Sequence, residues 1–151
     1  MMAVILAGGK GTRLKPFTFT IPKPMLPLGD VPILDIVIKQ LVAAGVSRIV
    51  LTLGHMAHLF KASFGNGERF GAKIEYCEED EPLGTAGSLR LINNIEDNFL
   101  VMNGDILTTL NYERLIRTHL SREAWGTITL SKREVMIDYG VIETNDDDML
   151  L

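Results

Sequence analysis

Leu6-Ala7-Gly8-Gly9-Lys10-Gly11-Thr12-Arg13-Leu14-Lys15-Pro16-Phe17-Thr18-Phe19-Thr20-Ile21-Pro22-Lys23-Pro24-Met25 is the stretch on which the reading of this chain turns. An apolar run, Met2 to Leu6, leads straight into Gly8, Gly9 and Gly11. Glycine accepts positive φ and removes the side chains that would hold a ligand away from the backbone N–H groups. Consecutive amides freed in this way can wrap an anion, as nests and helix N-termini do. Two cations follow. Arg13 offers a planar fork of donors suited to phosphate oxygens. Lys23 is held between Pro22 and Pro24, which restrict the local backbone and aim the side chain. The stretch reads as a site for a nucleoside triphosphate.

Spacing excludes two other phosphate loops. A dinucleotide fingerprint requires G-x-G-x-x-G, and Leu14 stands where the third glycine would be. A P-loop requires Gly-Lys-Ser/Thr, and here Lys10 is followed by Gly11.

Strand-like and helix-like patterns alternate beyond this loop. Strands are expected over 2–7, 48–53, 73–77, 98–102, 126–131 and 139–143, where short apolar or β-branched runs occur. Helices are expected over 33–44, 55–64, 85–92 and 111–121. The first should bury Ile33, Ile36, Val37 and Leu41 and stop at Gly45. The last has Asn111 as its N-cap. Strands separated by helices imply βαβ units: an α/β fold with a mainly parallel sheet covered on both faces. Ligands of such sheets bind beyond the carboxyl ends of the strands. The glycine loop, the Glu79–Thr85 segment and Asn103–Asp105 all follow expected strands and should gather there. Asp105 at a strand's end is well placed for Mg²⁺, which takes one or two carboxylates plus phosphates and waters. The aspartate-rich turn after Asn145 reads as the start of a hairpin.

Size and composition set the bounds. The chain's 151 residues suit one domain with a real core, and 46% hydrophobic with 23% charged residues is ordinary for a globular protein. A net charge of −4 argues against nucleic acid, whose footprint is basic. The lone Cys77 forms no internal disulfide and suits a reducing, cytoplasmic setting. It reads as a small apolar group. No secretory leader is apparent, and no apolar run approaches the ~20 residues of a membrane span. Lys10 and Lys15 read as solvated lysines. His55 and His58 have a spacing that could hold a metal but lack a third ligand nearby.

The motifs together resemble those of the sugar-1-phosphate nucleotidyltransferases, or nucleotide-sugar pyrophosphorylases. They comprise Gly8-Gly9-x-Gly11-Thr12-Arg13-Leu14-x-Pro16-x-Thr18, Pro22-Lys23-Pro24-Met25 and Pro32-Ile33-Leu34. Further along come Glu81-Pro82-Leu83-Gly84-Thr85-Ala86-Gly87, Asn103-Gly104-Asp105 and Tyr139-Gly140-Val141-Ile142-Glu143. The resemblance covers essentially the whole chain, with mannose-1-phosphate guanylyltransferases and glucose-1-phosphate thymidylyltransferases nearest in look.

It implies a Rossmann-like, three-layer α/β/α domain of the nucleotide-diphospho-sugar transferase type over residues 1–151, truncated on its C-terminal side. The implied reaction is Mg²⁺-dependent attack by a hexose 1-phosphate on the α-phosphorus of a nucleoside triphosphate, expelling pyrophosphate. Arg13 is then expected on the leaving pyrophosphate and Lys23 on the phosphate near the reacting centre. Leu6, Ala7, Gly8, Gly9, Gly11, Thr12, Arg13, Glu79, Gly84, Thr85, Asn103 and Gly104 form the nucleotide site. Asp105 binds Mg²⁺, and Tyr139 with Gly140 lies against the hexose.

Glu79 can accept two N–H bonds from a guanine edge, whereas uracil or thymine is better read by an amide. Mannose-1-phosphate guanylyltransferases also resemble the Glu81–Gly87 stretch, so the resemblance implies GTP with mannose 1-phosphate as the first expectation. Glucose 1-phosphate with dTTP, UTP or CTP comes second, and a non-catalytic nucleotide-binding regulatory module of the same fold third. The acceptor-binding part, including a Glu-Lys-Pro segment and a second metal-binding aspartate, is expected beyond the end of this chain. Little transferase turnover is expected without it. The sheet edge left open could pair with another chain, so a homo-oligomer is compatible with the sequence.

Overall fold

The computed structural model describes residues 1–81, 83–134, 140 and 144–150. Its frame is a sheet of four parallel strands: β1 (Met2–Leu6), β4 (Arg48–Leu53), β5 (Lys73–Glu78) and β6 (Phe99–Asn103). A small antiparallel pair, β2 (Pro27–Leu28) and β3 (Val31–Pro32), stands apart from it. The helices are α1 (Ile33–Ala43), α2 (Ala57–Phe64) and α3 (Tyr112–Ser121).

The order β5-β4-β1-β6 determines where a ligand can sit. From β1 the chain moves outward through β4 to β5, then returns to the other flank of β1 as β6. Strand order reverses at β1, and in open parallel sheets the crevice at such a reversal is the binding place. Register makes it level. Leu6 lies opposite Thr52 on one side and Asn103 on the other, so β1, β4 and β6 deliver their following loops to one edge.

The two sheet faces differ. Ala3, Ile5, Ile49, Leu51, Leu53 and Ile74 pack with α1, α2 and Tyr112 of α3 into the main core. Burying an aliphatic or phenyl side chain there stabilises by about 1.5–3 kcal/mol. Met2, Val4 and Val50 face the other way and meet Leu89 and Ile92. That second layer is built from a 3₁₀ stretch, Gly87–Leu91, where an α-helix over 85–92 was expected. Gly87 inside the segment disfavours an α-helix, and 3₁₀ turns serve for short pieces. Gly87 is also confined: a methyl built there would lie 2.6 Å from Leu83 Cβ.

In α1 the buried face is Leu34, Val37, Ile38 and Leu41, while Ile33 and Ile36 are only partly buried. The expected and observed faces both repeat at helical spacing within one apolar run, so periodicity alone could not choose between them. Gly45 ends the helix as expected, with φ +89°; its N–H reaches Val42 O and the Val46 N–H reaches Leu41 O. Asp35, in the first turn of α1, is buried but paired, receiving two bonds from Arg69 at 2.8 and 3.1 Å. The Asn111 side chain accepts the Arg114 N–H at 2.8 Å, capping α3 as the sequence predicts.

The expected strand over 126–131 is irregular and exposed. Thr127, Ile128, Thr129 and Leu130 have the composition of a strand, but β-preference is expressed only against a neighbour. The segment is held instead by the Thr127 hydroxyl on His119 Nδ1 at 2.9 Å. The strand expected over 139–143 falls largely outside the described residues. The Asn145 turn forms, closed by a Thr144–Leu150 bridge. Among the described residues no helix is long and apolar enough to cross a membrane.

Candidate functional site

A cavity of about 500 Å³ opens at the carboxyl edge of the sheet, at the strand reversal. Its walls come from the three segments expected to meet. Leu6, Ala7, Gly8, Gly9, Gly11 and Arg13 arrive from β1, Glu79, Gly84 and Thr85 from β5, and Asn103 and Asp105 from β6. Lys23 completes the set from the proline-flanked turn. Thr12 and Gly104 stand beside the cavity without lining it. Gly140 is exposed and is not among its walls. Tyr139 lies outside the described residues.

The glycines have distinct tasks. Gly8 lets the exits of β1 and β4 touch: a methyl there would lie 3.3 Å from the Gly54 nitrogen and 3.4 Å from Glu79 Oε1. Gly11 has φ +59° and initiates the 3₁₀ turn Thr12–Leu14 that carries Arg13. A methyl at Gly11 would come within 2.9 Å of Thr18 Cγ2. The Thr18 hydroxyl donates to Gly11 O at 2.9 Å, tying the loop to the next turn. Gly104 closes the far side, where a methyl would meet Ile5 Cγ2 at 3.0 Å and Pro24 at 3.4 Å. That contact seats the Lys23 turn on the end of β6.

Lys23 forms a direct ion pair with Asp105. Arg13 is exposed, and no hydrogen bond or ion pair engages its guanidinium among the described residues. It is thus available to an incoming anion. Lys15 lies over the Phe19 ring, 5.2 Å from its centroid and away from the cavity, as befits a solvated lysine.

Glu79 differs from its acidic neighbours. Glu78, Asp80 and Glu81 are exposed, whereas Glu79 is half-buried, its Oε2 accepting the Leu83 N–H at 3.2 Å. Its own N–H donates to Leu53 O at 2.8 Å, continuing the ladder past β5. Burial, with the Glu79 charge second, pushes the Cys77 thiol above its ordinary range, which disfavours the thiolate.

Sequence reasoning missed Thr52 and Ser88, two polar residues that line the cavity at 1% exposure each. Thr52 hides in the apolar run of β4, where one hydroxyl draws no notice. Ser88 follows the expected motif by one residue.

The donor set tests the expected Mg²⁺. Among the described residues no three His, Cys, Asp or Glu side chains cluster as a ready metal cage. Asp105 supplies a single carboxylate. This fits an ion that arrives with phosphate oxygens and keeps its waters, and it does not fit a resident structural metal. A second cavity of about 610 Å³ lies beside the outer strands, where Arg48 is already bound to Glu75 at 2.8 Å. It gathers no comparable anion-binding groups.

Known proteins place the arrangement. The nucleotidyl transferase family matches residues 2–150. The chain is 36% identical over 151 residues to mannose-1-phosphate guanylyltransferase of Mycobacterium tuberculosis, covering 99% of this chain and 42% of that protein. It is 34% identical over 166 residues to UTP–glucose-1-phosphate uridylyltransferase of Synechocystis, covering 100% and 43%. The crystal structure of HddC from Yersinia pseudotuberculosis, complexed with GMP-PN, matches with a TM-score of 0.68 at 36% identity, covering 79% of this chain and 54% of that one. The chain spans less than half the length of these curated relatives. The family match over residues 2–150, on a parallel sheet shared with these solved relatives, shows that the chain belongs to the nucleotidyl transferase family.

Proposed function

We propose that residues 1–151 form the nucleotide-binding part of a sugar-1-phosphate nucleotidyltransferase that joins GTP to mannose 1-phosphate, giving a nucleotide sugar and pyrophosphate. Supporting this is the convergence of Gly8, Gly9, Gly11, Arg13, Lys23 and Asp105 on one cavity, with the half-buried Glu79 carboxylate beside Gly8. Both reactants are anions, so the chemistry asks chiefly for charge neutralisation and in-line alignment.

Main-chain amides of the glycine loop hold the triphosphate, and Arg13 steadies the pyrophosphate end. Lys23 sits where charge develops on the reacting phosphorus. The attacking phosphate oxygen is already ionised, so no protein nucleophile or strong base is required. Asp105 would hold a Mg²⁺, whose charge neutralises the phosphoryl oxygens when bound. The Gly84 and Thr85 turn leaves room for base and ribose. Tyr139 and Gly140 would lie against the hexose, and most other sugar-binding groups belong to the part of such enzymes that this chain does not span.

Guanine is favoured by Glu79, a carboxylate able to accept from N1 and the exocyclic amine. The guanylyltransferase name of the Mycobacterium tuberculosis relative and the GMP-PN complex of HddC point the same way. Pyrimidine use is the second reading, favoured by the uridylyltransferase relative.

The test is a panel of nucleoside triphosphates with Mg²⁺ scored by thermal shift, on the wild type and on Glu79→Gln. GTP should raise the midpoint most. Glu79→Gln should lower the GTP response at least about tenfold in affinity, the loss of a charge-assisted contact. An unchanged profile would discard the guanine assignment.

A further inference from the structure

The ion pair of Lys23 with Asp105 has a consequence for how the cavity loads, one that rests on the nucleotide reading above. Lys23 is aimed by fixed backbone. Pro22 is extended, the 3₁₀ turn Lys23–Met25 is closed by the Met25 N–H on Pro22 O at 2.8 Å, and buried Pro24 packs on Gly104. The ammonium therefore reaches Asp105 without freezing a loose segment. Both side chains are partly withdrawn from water, 38% and 24% exposed, so the attraction is screened less than at an open surface.

A divalent cation at Asp105 needs the carboxylate that Lys23 holds. No cluster of three ligating side chains stands ready among the described residues to compensate for evicting the lysine. The other carboxylate of the cavity, Glu79, is engaged by the Leu83 N–H. A polyphosphate changes this balance. It offers Lys23 a stronger anion within reach, and it brings oxygens that complete a metal's shell.

We propose that Lys23 blocks Asp105 in the free chain and is handed to the phosphates on nucleotide binding, so that the divalent cation enters with the nucleotide and not before it. Lys23 thereby serves in turn as a stand-in for the metal and as a phosphate ligand.

Mn²⁺ added to the nucleotide-free chain, followed by loss of the free-ion electron paramagnetic resonance signal, reads this directly. The wild type should bind Mn²⁺ weakly. Lys23→Met should raise the affinity at least about fivefold, the factor equivalent to about 1 kcal/mol of lost competition. Adding Asp105→Asn should remove the gain. Lys23→Gln, which keeps a polar head, should show the same rise and guards against a folding defect in the first variant. Equal Mn²⁺ affinity in wild type and both Lys23 variants overturns the proposal, as does a gain that survives Asp105→Asn.

A separate arm measures the thermal shift from GTP in EDTA. Stabilisation without metal supports the hand-over. No shift from any nucleoside triphosphate removes the nucleotide reading and the hand-over together. A block of Asp105 seen in the Mn²⁺ arm would then stand alone.

Discussion

Gly11 carries the tightest local demand in the site. Its left-handed backbone costs any other L-residue about 1–2 kcal/mol. The clash with Thr18 adds to that, because the neighbour is a β-branched side chain with little freedom. Gly11→Ala should therefore lower unfolding stability by about 2 kcal/mol or more, measured by urea titration, and weaken triphosphate binding in calorimetry. Full stability with unimpaired binding would contradict the packing described here. Gly8→Ala should act differently, through contacts at 3.3–3.4 Å that need shifts of only a few tenths of an ångström. At this scale the sequence was informative where the chemistry is local. The glycine loop, Arg13 and the Asp105 strand end are all legible from neighbouring residues. The Lys23–Asp105 pair was not, since it depends on Pro24 packing against Gly104 from a distant part of the chain. Composition does not separate Glu79 from Glu78, Asp80 and Glu81; the resemblance singles it out, and its partial burial and the Leu83 N–H bond distinguish it in the fold.

Among the elements, α3 and β5 yield two further expectations. Asn111 caps α3 through a single side-chain bond, so Asn111→Ala should cost about 1 kcal/mol in chemical denaturation. On β5, hydrogen bonds from Arg48 and then Lys73 hold the Glu75 carboxyl below its ordinary range. A depressed carboxylate contributes stability that is present above its unfolded value and lost as pH falls through its folded one. Glu75→Gln should accordingly flatten part of the acid limb of the stability–pH curve below about pH 4.5, the ordinary glutamate value, and leave neutral pH changed by about 1 kcal/mol or less. An acid limb identical to wild type would remove that linkage. The element readings that failed share a cause. Residues 85–92 carry helix-compatible residues but are interrupted by Gly87, packed tightly on Leu83, and residues 126–131 carry strand residues without a ladder partner among the described residues. Pattern reports preference, whereas tertiary contact determines whether the preference is expressed.

For the whole molecule, the decisive feature is the reversal of strand order at β1, which turns three separate loops into one cavity. Alternating patterns foretold a parallel sheet, but not which strand would lie at the reversal, because that depends on where β6 docks. Among the described residues the cations lining the cavity are Arg13 and Lys23, sufficient for one polyphosphate. The 151-residue polypeptide should bind nucleoside triphosphate without detectable nucleotide-sugar formation, assayed by pyrophosphate release with mannose 1-phosphate present. Sustained release would show that the acceptor site is complete within these residues. If backbone amides of the glycine loop enclose the triphosphate, amide chemical shifts followed during GTP titration should change most at Gly8, Gly9 and Gly11 and saturate at one equivalent. Changes confined to the outer strands, or none at all, would show that the triphosphate is held elsewhere.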